Sequence, residues 1–143
     1  MPEVSAPLLM FLAYRYAEER VLSELAAEGY DDITLAQARV FQRLAEDGIR
    51  LTDLAQQAQL TKQGTQFLVD QLEAAGYVER RADPADARAR LIVIAPRGRD
   101  VQRAARRVEA AIAAEWREHL GADRMALLGE LLADLRPVVD PYA

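Results

Sequence analysis

The sequence predicts a mainly α-helical chain with one small β-hairpin, and three observations support this fold class. Residues 51–58 and 62–75 both have a helical pattern, and a two-residue break separates them. Residues 77–81 and 91–94 have the composition of strands on either side of a polar turn. Two short helices followed by such a hairpin are typical of a winged helix-turn-helix, whose second helix enters the major groove of duplex DNA.

Two helices are predicted before residue 51. The spacing of apolar residues over 8–28 predicts one long helix, and Gly29 begins the break that follows it. Thr34 is a candidate N-cap for the next helix, residues 35–47, because its hydroxyl can accept a backbone N–H. The winged helix-turn-helix is therefore expected over about residues 34–96.

Two further helices are predicted after the hairpin. A proline and a glycine mark the start of a long helix over residues 97–119. Asp123 is a candidate N-cap for a last helix over 124–135, which Pro137 is expected to stop. No repeat or linker interrupts the pattern, so we predict a single domain over residues 1–143.

The first and last helices contain more apolar residues than one small core needs. Exposed apolar patches of this size are rare on monomers, so we expect the helices at about 5–29 and 97–139 to form a homodimer interface. A monomeric helical core is the alternative. The apolar residues concerned are Leu8, Leu9, Phe11, Leu12, Leu127, Leu128, Leu131, Leu132 and Leu135.

Composition excludes several classes of function. The chain has no cysteine, which excludes disulfides, thiol nucleophiles and thiol-based redox sensing. His119 is the only histidine, so a histidine-rich zinc site is not expected. The sequence also has no glycine-rich phosphate loop, which leaves carboxylates as the only plausible catalysts, so we expect no enzyme, no catalytic residues, no metal and no cofactor. The sequence has neither a signal-peptide pattern nor an apolar run that could span a bilayer, so we expect a cytoplasmic protein without a membrane partner.

The distribution of charge favours a nucleic-acid partner although the net charge is −5. Residues 61–107 contain ten basic and six acidic side chains, a balance of +4, so the remainder carries −9. A basic surface on an otherwise acidic protein is typical of a binding site for nucleic-acid phosphates. Ordinary solvated surface charges are the alternative interpretation.

The helix over 62–75 has an apolar back and a polar front. Leu68, Leu72 and Ala75 recur at helical spacing and form the predicted back. Glutamine can pair with adenine, threonine with thymine and lysine with guanine or phosphate, while Gly64 allows close approach of the backbone to DNA. A solvated polar face is the alternative. The residues that we assign to DNA contact are Thr61, Lys62, Gln63, Gly64, Thr65 and Gln66.

The polar turn over residues 82–90 supplies a second predicted DNA contact. Arg88 and Arg90 occupy alternate positions, and arginine at a hairpin tip suits the narrow minor groove, where the negative potential is strongest. Asp86 is expected to pair with the Arg88 guanidinium and orient it. An ordinary surface salt bridge is the alternative.

Several of these runs together resemble the multiple antibiotic resistance regulator (MarR) family of dimeric winged-helix repressors. The resemblance extends over almost the whole chain and is carried by residues 61–64, residues 72–80, Asp86-Ala87-Arg88, Ile94-Ala95 and Gly98. It implies a fold that binds a palindromic double-stranded operator as a homodimer and regulates transcription, usually as a repressor.

The resemblance also implies a role for each matching position. It puts Thr61, Lys62, Gln63, Thr65 and Gln66 in the major groove, Arg88 in the minor groove, and Asp86 beside Arg88 to orient it. The chain departs from the family pattern at three positions. Ala95 replaces the usual threonine, Thr65 occupies an often apolar position, and Phe67 replaces an often polar or basic residue, where it either contacts a thymine methyl or turns inward.

The family resemblance implies a small organic effector that releases the protein from DNA. Its expected pocket lies between the dimer helices and the winged block, with Tyr14, Arg15, Phe41 and Arg43 as candidate contacts and Tyr16 beside them. A winged-helix protein-interaction module that has lost DNA binding is the alternative function. The aromatic Phe67 and the acidic net charge favour that alternative, whereas the wing motif argues against it.

Overall fold

The computed structural model describes residues 3–142, and helices dominate it. The chain divides into two compact units, one ending at Ala105 and one beginning at Arg106, so the boundary falls within a helix. The single domain predicted over 1–143 stays a prediction. The elements in chain order are α1 (Ala6–Ala27), α2 (Leu35–Phe41), α3 (Leu51–Ala58), α4 (Lys62–Ala74), β1 (Val78–Asp83), β2 (Asp86–Ile94), α5 (Pro96–Leu120) and α6 (Ala122–Val139).

Helix α2 begins as predicted and ends earlier than predicted. Thr34 is its N-cap, and the side chain of Gln37 completes a capping box by accepting the Thr34 N–H. The predicted extension to residue 47 is wrong, because tight turns follow Phe41. These turns bring Ile49 against Ile92, with which it exchanges two backbone hydrogen bonds of 2.8 and 3.1 Å. A helix continued to residue 47 would not allow that pairing.

The core of the first unit lies among α2, α3, α4 and the hairpin. Helix α4 contributes Val69 and Leu72, which are fully or almost fully buried, whereas the predicted back residues Leu68 and Ala75 are only partly buried. The back of α4 is therefore rotated slightly from the predicted one. The most deeply buried side chains are Tyr77, Leu54, Leu72, Ile92, Val40, Val69, Val78 and Thr65.

The hairpin β1–β2, which we call the wing, is longer than predicted. Its antiparallel register runs from Val78 opposite Ile94 to Ala82 opposite Arg90, and after an irregularity Asp83 lies opposite Asp86. The polar turn predicted over residues 82–90 is therefore wrong, because only two residues separate the strands. Asp83 makes this short turn possible, since its carboxylate accepts the Ala85 N–H at 2.8 Å. Aspartate and alanine are weak strand formers, which is why the pattern predicted no strand here.

The last two helices differ from prediction at their ends. Gly121, at φ 91°, is the N-cap of α6, and Asp123 lies in the first turn instead of capping. Pro137 lies inside α6, so the predicted stop at this residue is wrong; its missing N–H falls in the final turn. No residue of α6 is buried. Within residues 3–142, no helix is long and apolar enough to cross a membrane.

Candidate nucleic-acid interface

The start of α4 is fixed by its cap and by the turn before it. Gln59 adopts a left-handed backbone conformation, with φ 58°, which ends α3 and turns the chain toward α4. Thr61, which was predicted only to contact DNA, is also the N-cap, and its Oγ1 accepts the Gly64 N–H at 3.0 Å. A Cβ at Gly64 would lie 3.0 Å from that same oxygen. Glycine thus leaves the capping contact unobstructed.

The exposed face of α4 carries four of the predicted contact residues. Thr61, Lys62, Gln63 and Gln66 are exposed, and Gly64 is partly buried. Each of the four exposed side chains has a hydrogen-bonding group, and they lie in the first turns of the helix. This is the end that meets the base edges in a helix-turn-helix complex.

Polarity predicts that Thr65 faces solvent and Phe67 faces the core, and the structure has both the other way round. Thr65 is fully buried, and its Oγ1 donates to the Thr61 carbonyl at 2.8 Å, so it does not belong to the exposed front on which the sequence placed it. Phe67 is 62% exposed. Of the two alternatives for Phe67, the structure therefore excludes the inward one.

The tip of the wing presents two arginines to solvent. Arg88 and Arg90 are exposed on β2. The Asp86 carboxylate accepts the backbone N–H of Arg88 at 3.0 Å, so it shapes the strand instead of pairing with the guanidinium as expected. Within residues 3–142, neither arginine has a carboxylate partner.

An ion pair that the sequence did not suggest holds the base of this tip. Two nitrogens of Arg50, the residue before α3, donate to one oxygen of Asp83 at 2.9 and 2.7 Å. The Ala85 N–H and then the Arg50 guanidinium lower the pKa of Asp83. The two residues are 33 positions apart, so no local pattern could have revealed the pair.

Ion pairing divides the basic residues between Thr61 and Ala105 into two groups. Five arginines pair with carboxylates, four of them at 2.6–2.9 Å. Lys62, Arg88 and Arg90 have no such partner within the part of the chain that the structure describes. The basic side chains of residues 61–105 that lack a carboxylate partner therefore lie on the exposed face of α4 and on the wing. The paired arginines are Arg80 (with Asp70 and Glu73), Arg81 (with Glu79), Arg97 (with Asp32), Arg99 (with Glu46) and Arg103 (with Asp100).

A buried tyrosine joins α4, the wing and α5. The Tyr77 hydroxyl donates to Asp32, and the Arg97 guanidinium lies 4.4 Å from the Tyr77 ring centroid while donating to Asp32 at 2.9 Å and to the Ala75 carbonyl at 2.6 Å. Burial and the Asp32 carboxylate raise the pKa of Tyr77. Burial acts to raise the pKa of Asp32, but the hydrogen bonds from Tyr77 and Arg97 outweigh it and lower that pKa.

Three of the four candidate effector contacts lie in one region. Tyr14 on α1 accepts a hydrogen bond of 3.3 Å from Gln42, the residue between Phe41 and Arg43. Burial raises the pKa of Tyr14. Phe41 is buried and Arg43 partly buried, whereas Arg15 is exposed, with its guanidinium 5.8 Å from the Phe11 ring centroid.

A salt bridge beside Tyr14 was not predicted. Both nitrogens of one edge of Arg39 donate to the two oxygens of Glu18 at 3.0 Å. This bond lowers the pKa of Glu18. Among the described residues, no group of three or more His, Asp or Glu side chains could hold a metal ion.

The fold and the exposed basic elements are those of a winged helix-turn-helix protein, and comparison with known proteins finds similar ones. Residues 31–89 match the model of the MarR family. The wild-type MarR protein of E. coli, in its apo form, has a similar structure over 93% of this chain and 98% of its own, with 24% identity and a TM-score of 0.72. No curated protein sequence matches the chain significantly.

Two further solved structures are similar over nearly their full length. A transcriptional regulator from Thermotoga maritima has 26% identity and a TM-score of 0.66 over 96% of each chain. A MarR family protein from Mycobacterium tuberculosis in complex with salicylic acid has 24% identity and a TM-score of 0.68, covering 94% of this chain and 98% of its own. The match to the MarR family covers residues 31–89, and the fold of the chain resembles that of these solved structures.

Proposed function

We propose that this protein is a sequence-specific regulator of transcription that binds duplex DNA with α4 in the major groove and the wing in the minor groove. The observation that carries the proposal is the position of the uncompensated cations. Lys62, Arg88 and Arg90 have no carboxylate partner in the described first unit, while five other arginines of the same block are neutralised. Cations left unpaired on two exposed elements favour phosphate and groove contacts.

We further propose that the protein acts as a homodimer on a palindromic operator. Two exposed apolar stretches support this. Residues 3–16 of the N-terminal segment and α1 are all exposed, and α6 buries none of its residues. Helices with large unburied apolar surfaces are stabilised by association. Light scattering during size-exclusion chromatography would measure the mass, and a monomer at micromolar concentration would contradict the dimer.

A repressor released by a small organic acid or phenol is the regulatory mode that we propose. The salicylic acid complex of the M. tuberculosis relative supports this class of effector. Tyr14, Phe41 and Arg43 offer a hydroxyl, a ring and a cation in one region, with Arg15 as an outer candidate. An effector acts only if it binds the released conformation more tightly than the DNA-bound one. Salicylate that leaves operator affinity unchanged would contradict its role.

The first experiment is selection of bound sequences from random duplex DNA, followed by affinity measurements at several salt concentrations. If the three unpaired cations of each protomer reach phosphate, the logarithm of the binding constant should fall with that of salt with a slope of about −5 for a dimer. Arg88→Ala should weaken binding about tenfold or more, since a buried charged contact is lost.

Arg99→Ala is the matched control, because it removes the same charge from an arginine that pairs with Glu46 at 2.9 Å. Equal losses of affinity in the two variants would contradict the assignment of the wing. Failure to enrich any sequence at low salt would favour the other candidate, a winged-helix module that binds protein instead of DNA. The exposure of Phe67 is the observation that favours this second candidate.

A further inference from the structure

We propose that Phe67 determines part of the sequence specificity by contacting the C5-methyl group of a thymine in each half-site. The proposal rests on the proposed DNA-binding function and goes beyond it, because it assigns one base and one chemical group. Phe67 is 62% exposed, the largest exposure of any aromatic side chain in residues 3–142. Covering such a ring with another molecule removes apolar surface from water and so favours binding.

The neighbours of Phe67 are those of a base-contacting residue. Gln63 precedes it by one helical turn and Gln66 is adjacent, so the ring shares the exposed face with two amides. Lys62 is exposed at the N-terminal end of α4. Thr65 does not compete for this face, because it is buried. The ring is thus surrounded by side chains suited to hydrogen bonding with base edges.

The chemistry of the major groove selects the partner of the ring. A phenyl group has no hydrogen-bond donor, so it gains nothing from phosphate or from the polar edges of guanine, adenine and cytosine. The thymine methyl is the apolar feature of the major groove. Gln63 and Phe67 are separated by about 6 Å along the helix axis, from four residues at 1.5 Å each. We therefore expect the thymine one or two base pairs from the base that Gln63 contacts.

Deoxyuridine substitution tests the proposal directly, because deoxyuridine differs from thymidine only in lacking this methyl. Each thymine of the selected operator would be replaced in turn, in both half-sites together. Wild-type protein should lose about fourfold in affinity per half-site at one position, as expected for one buried methyl group. Phe67→Ala should bind both operators with nearly equal affinity, and circular dichroism would verify that its fold is unchanged.

Gln66→Ala is the control on the same face, and it should keep the wild-type preference for thymine over deoxyuridine. A Phe67→Ala variant that retains the wild-type preference would overturn the proposal, as would a wild-type protein indifferent to every methyl group. A wild-type protein that binds the operator but is indifferent to every methyl group would leave the proposed DNA-binding function intact. A wild-type protein that binds no duplex would overturn both proposals and favour a protein partner for the ring.

Discussion

Replacing Gly98 with alanine should disrupt the junction between the wing and α5. A Cβ at this position would lie 2.1 Å from the Tyr77 carbonyl oxygen and 2.9 Å from Cγ2 of Ile94. The first contact is with backbone, so no side-chain rotation relieves it. Separating the Cβ from that oxygen to 3.0 Å needs a shift of 0.9 Å. The same carbonyl accepts the Ala95 N–H at 3.0 Å, and a shift of this size would break that bond.

The expected loss of stability follows from three contributions. Forcing extra atoms into a packed site costs about 1–3 kcal/mol. Leaving a buried carbonyl without its partner costs about 1–3 kcal/mol more. Alanine gains up to about 1 kcal/mol over glycine in a helix, which offsets part of this. The net free energy of unfolding should fall by about 3 kcal/mol, and the midpoint of thermal unfolding by roughly 10 °C.

Urea unfolding followed by far-UV circular dichroism would measure the effect at fixed protein concentration, since dimerisation would make stability depend on concentration. Gly129→Ala in α6 is the matched control, because nothing in the same protomer lies within 4 Å of a Cβ there, and light scattering would verify that its mass is unchanged. It should leave stability unchanged or raise it by up to about 1 kcal/mol. A Gly98→Ala variant as stable as wild type would refute the packing argument.

Three other substitutions test separate parts of the structure. Thr65→Val should lower stability by about 1 kcal/mol without changing operator affinity, and a loss of affinity like that of Gln66→Ala would contradict its burial. Arg50→Gln should weaken operator binding with the helical content unchanged. A double variant that exchanges the two charges, Arg50→Asp together with Asp83→Arg, should restore part of the affinity. The pKa of Tyr77 is raised above its ordinary value of 10.0 in the folded protein. Above pH 10 the unfolded chain therefore loses a proton that the folded chain keeps, and the free energy of unfolding should fall as the pH rises. Tyr77→Phe should remove this part of the fall in urea unfolding at alkaline pH.

Sequence patterns predicted the features that depend on neighbouring residues. The N-cap predicted at Thr34 follows from a hydroxyl that precedes a helical run, and the structure confirms it. The mainly α-helical fold with a β-hairpin wing is confirmed. The ends of α2 and of the wing strands were wrong, because pairing of Ile49 with Ile92 and the short turn at Asp83 outweigh local propensity.

The parts of the interface that sequence could not supply depend on contacts between distant positions. The Arg50–Asp83 ion pair and the hydrogen bonds around Asp32 join residues at least 33 positions apart. Thr65 illustrates another limit, since a threonine can satisfy its hydroxyl on the preceding helical turn and then pack as an apolar residue. Polarity alone assigned it to the front of α4, and the helical rotation set by Val69 and Leu72 assigns it to the back.

The junction around Tyr77 also explains how the two proposed DNA-contacting elements can act together. Tyr77 immediately precedes the wing, its hydroxyl donates to Asp32, and its carbonyl packs on Gly98. Arg97 donates both to Asp32 and to the Ala75 carbonyl at the end of α4, so the recognition helix and the wing are held by one cluster. Elements already fixed relative to each other need little ordering when both enter DNA grooves, which lowers the entropic cost of binding. Substitutions in this cluster should therefore change operator affinity although none of its residues lies on the exposed face of α4.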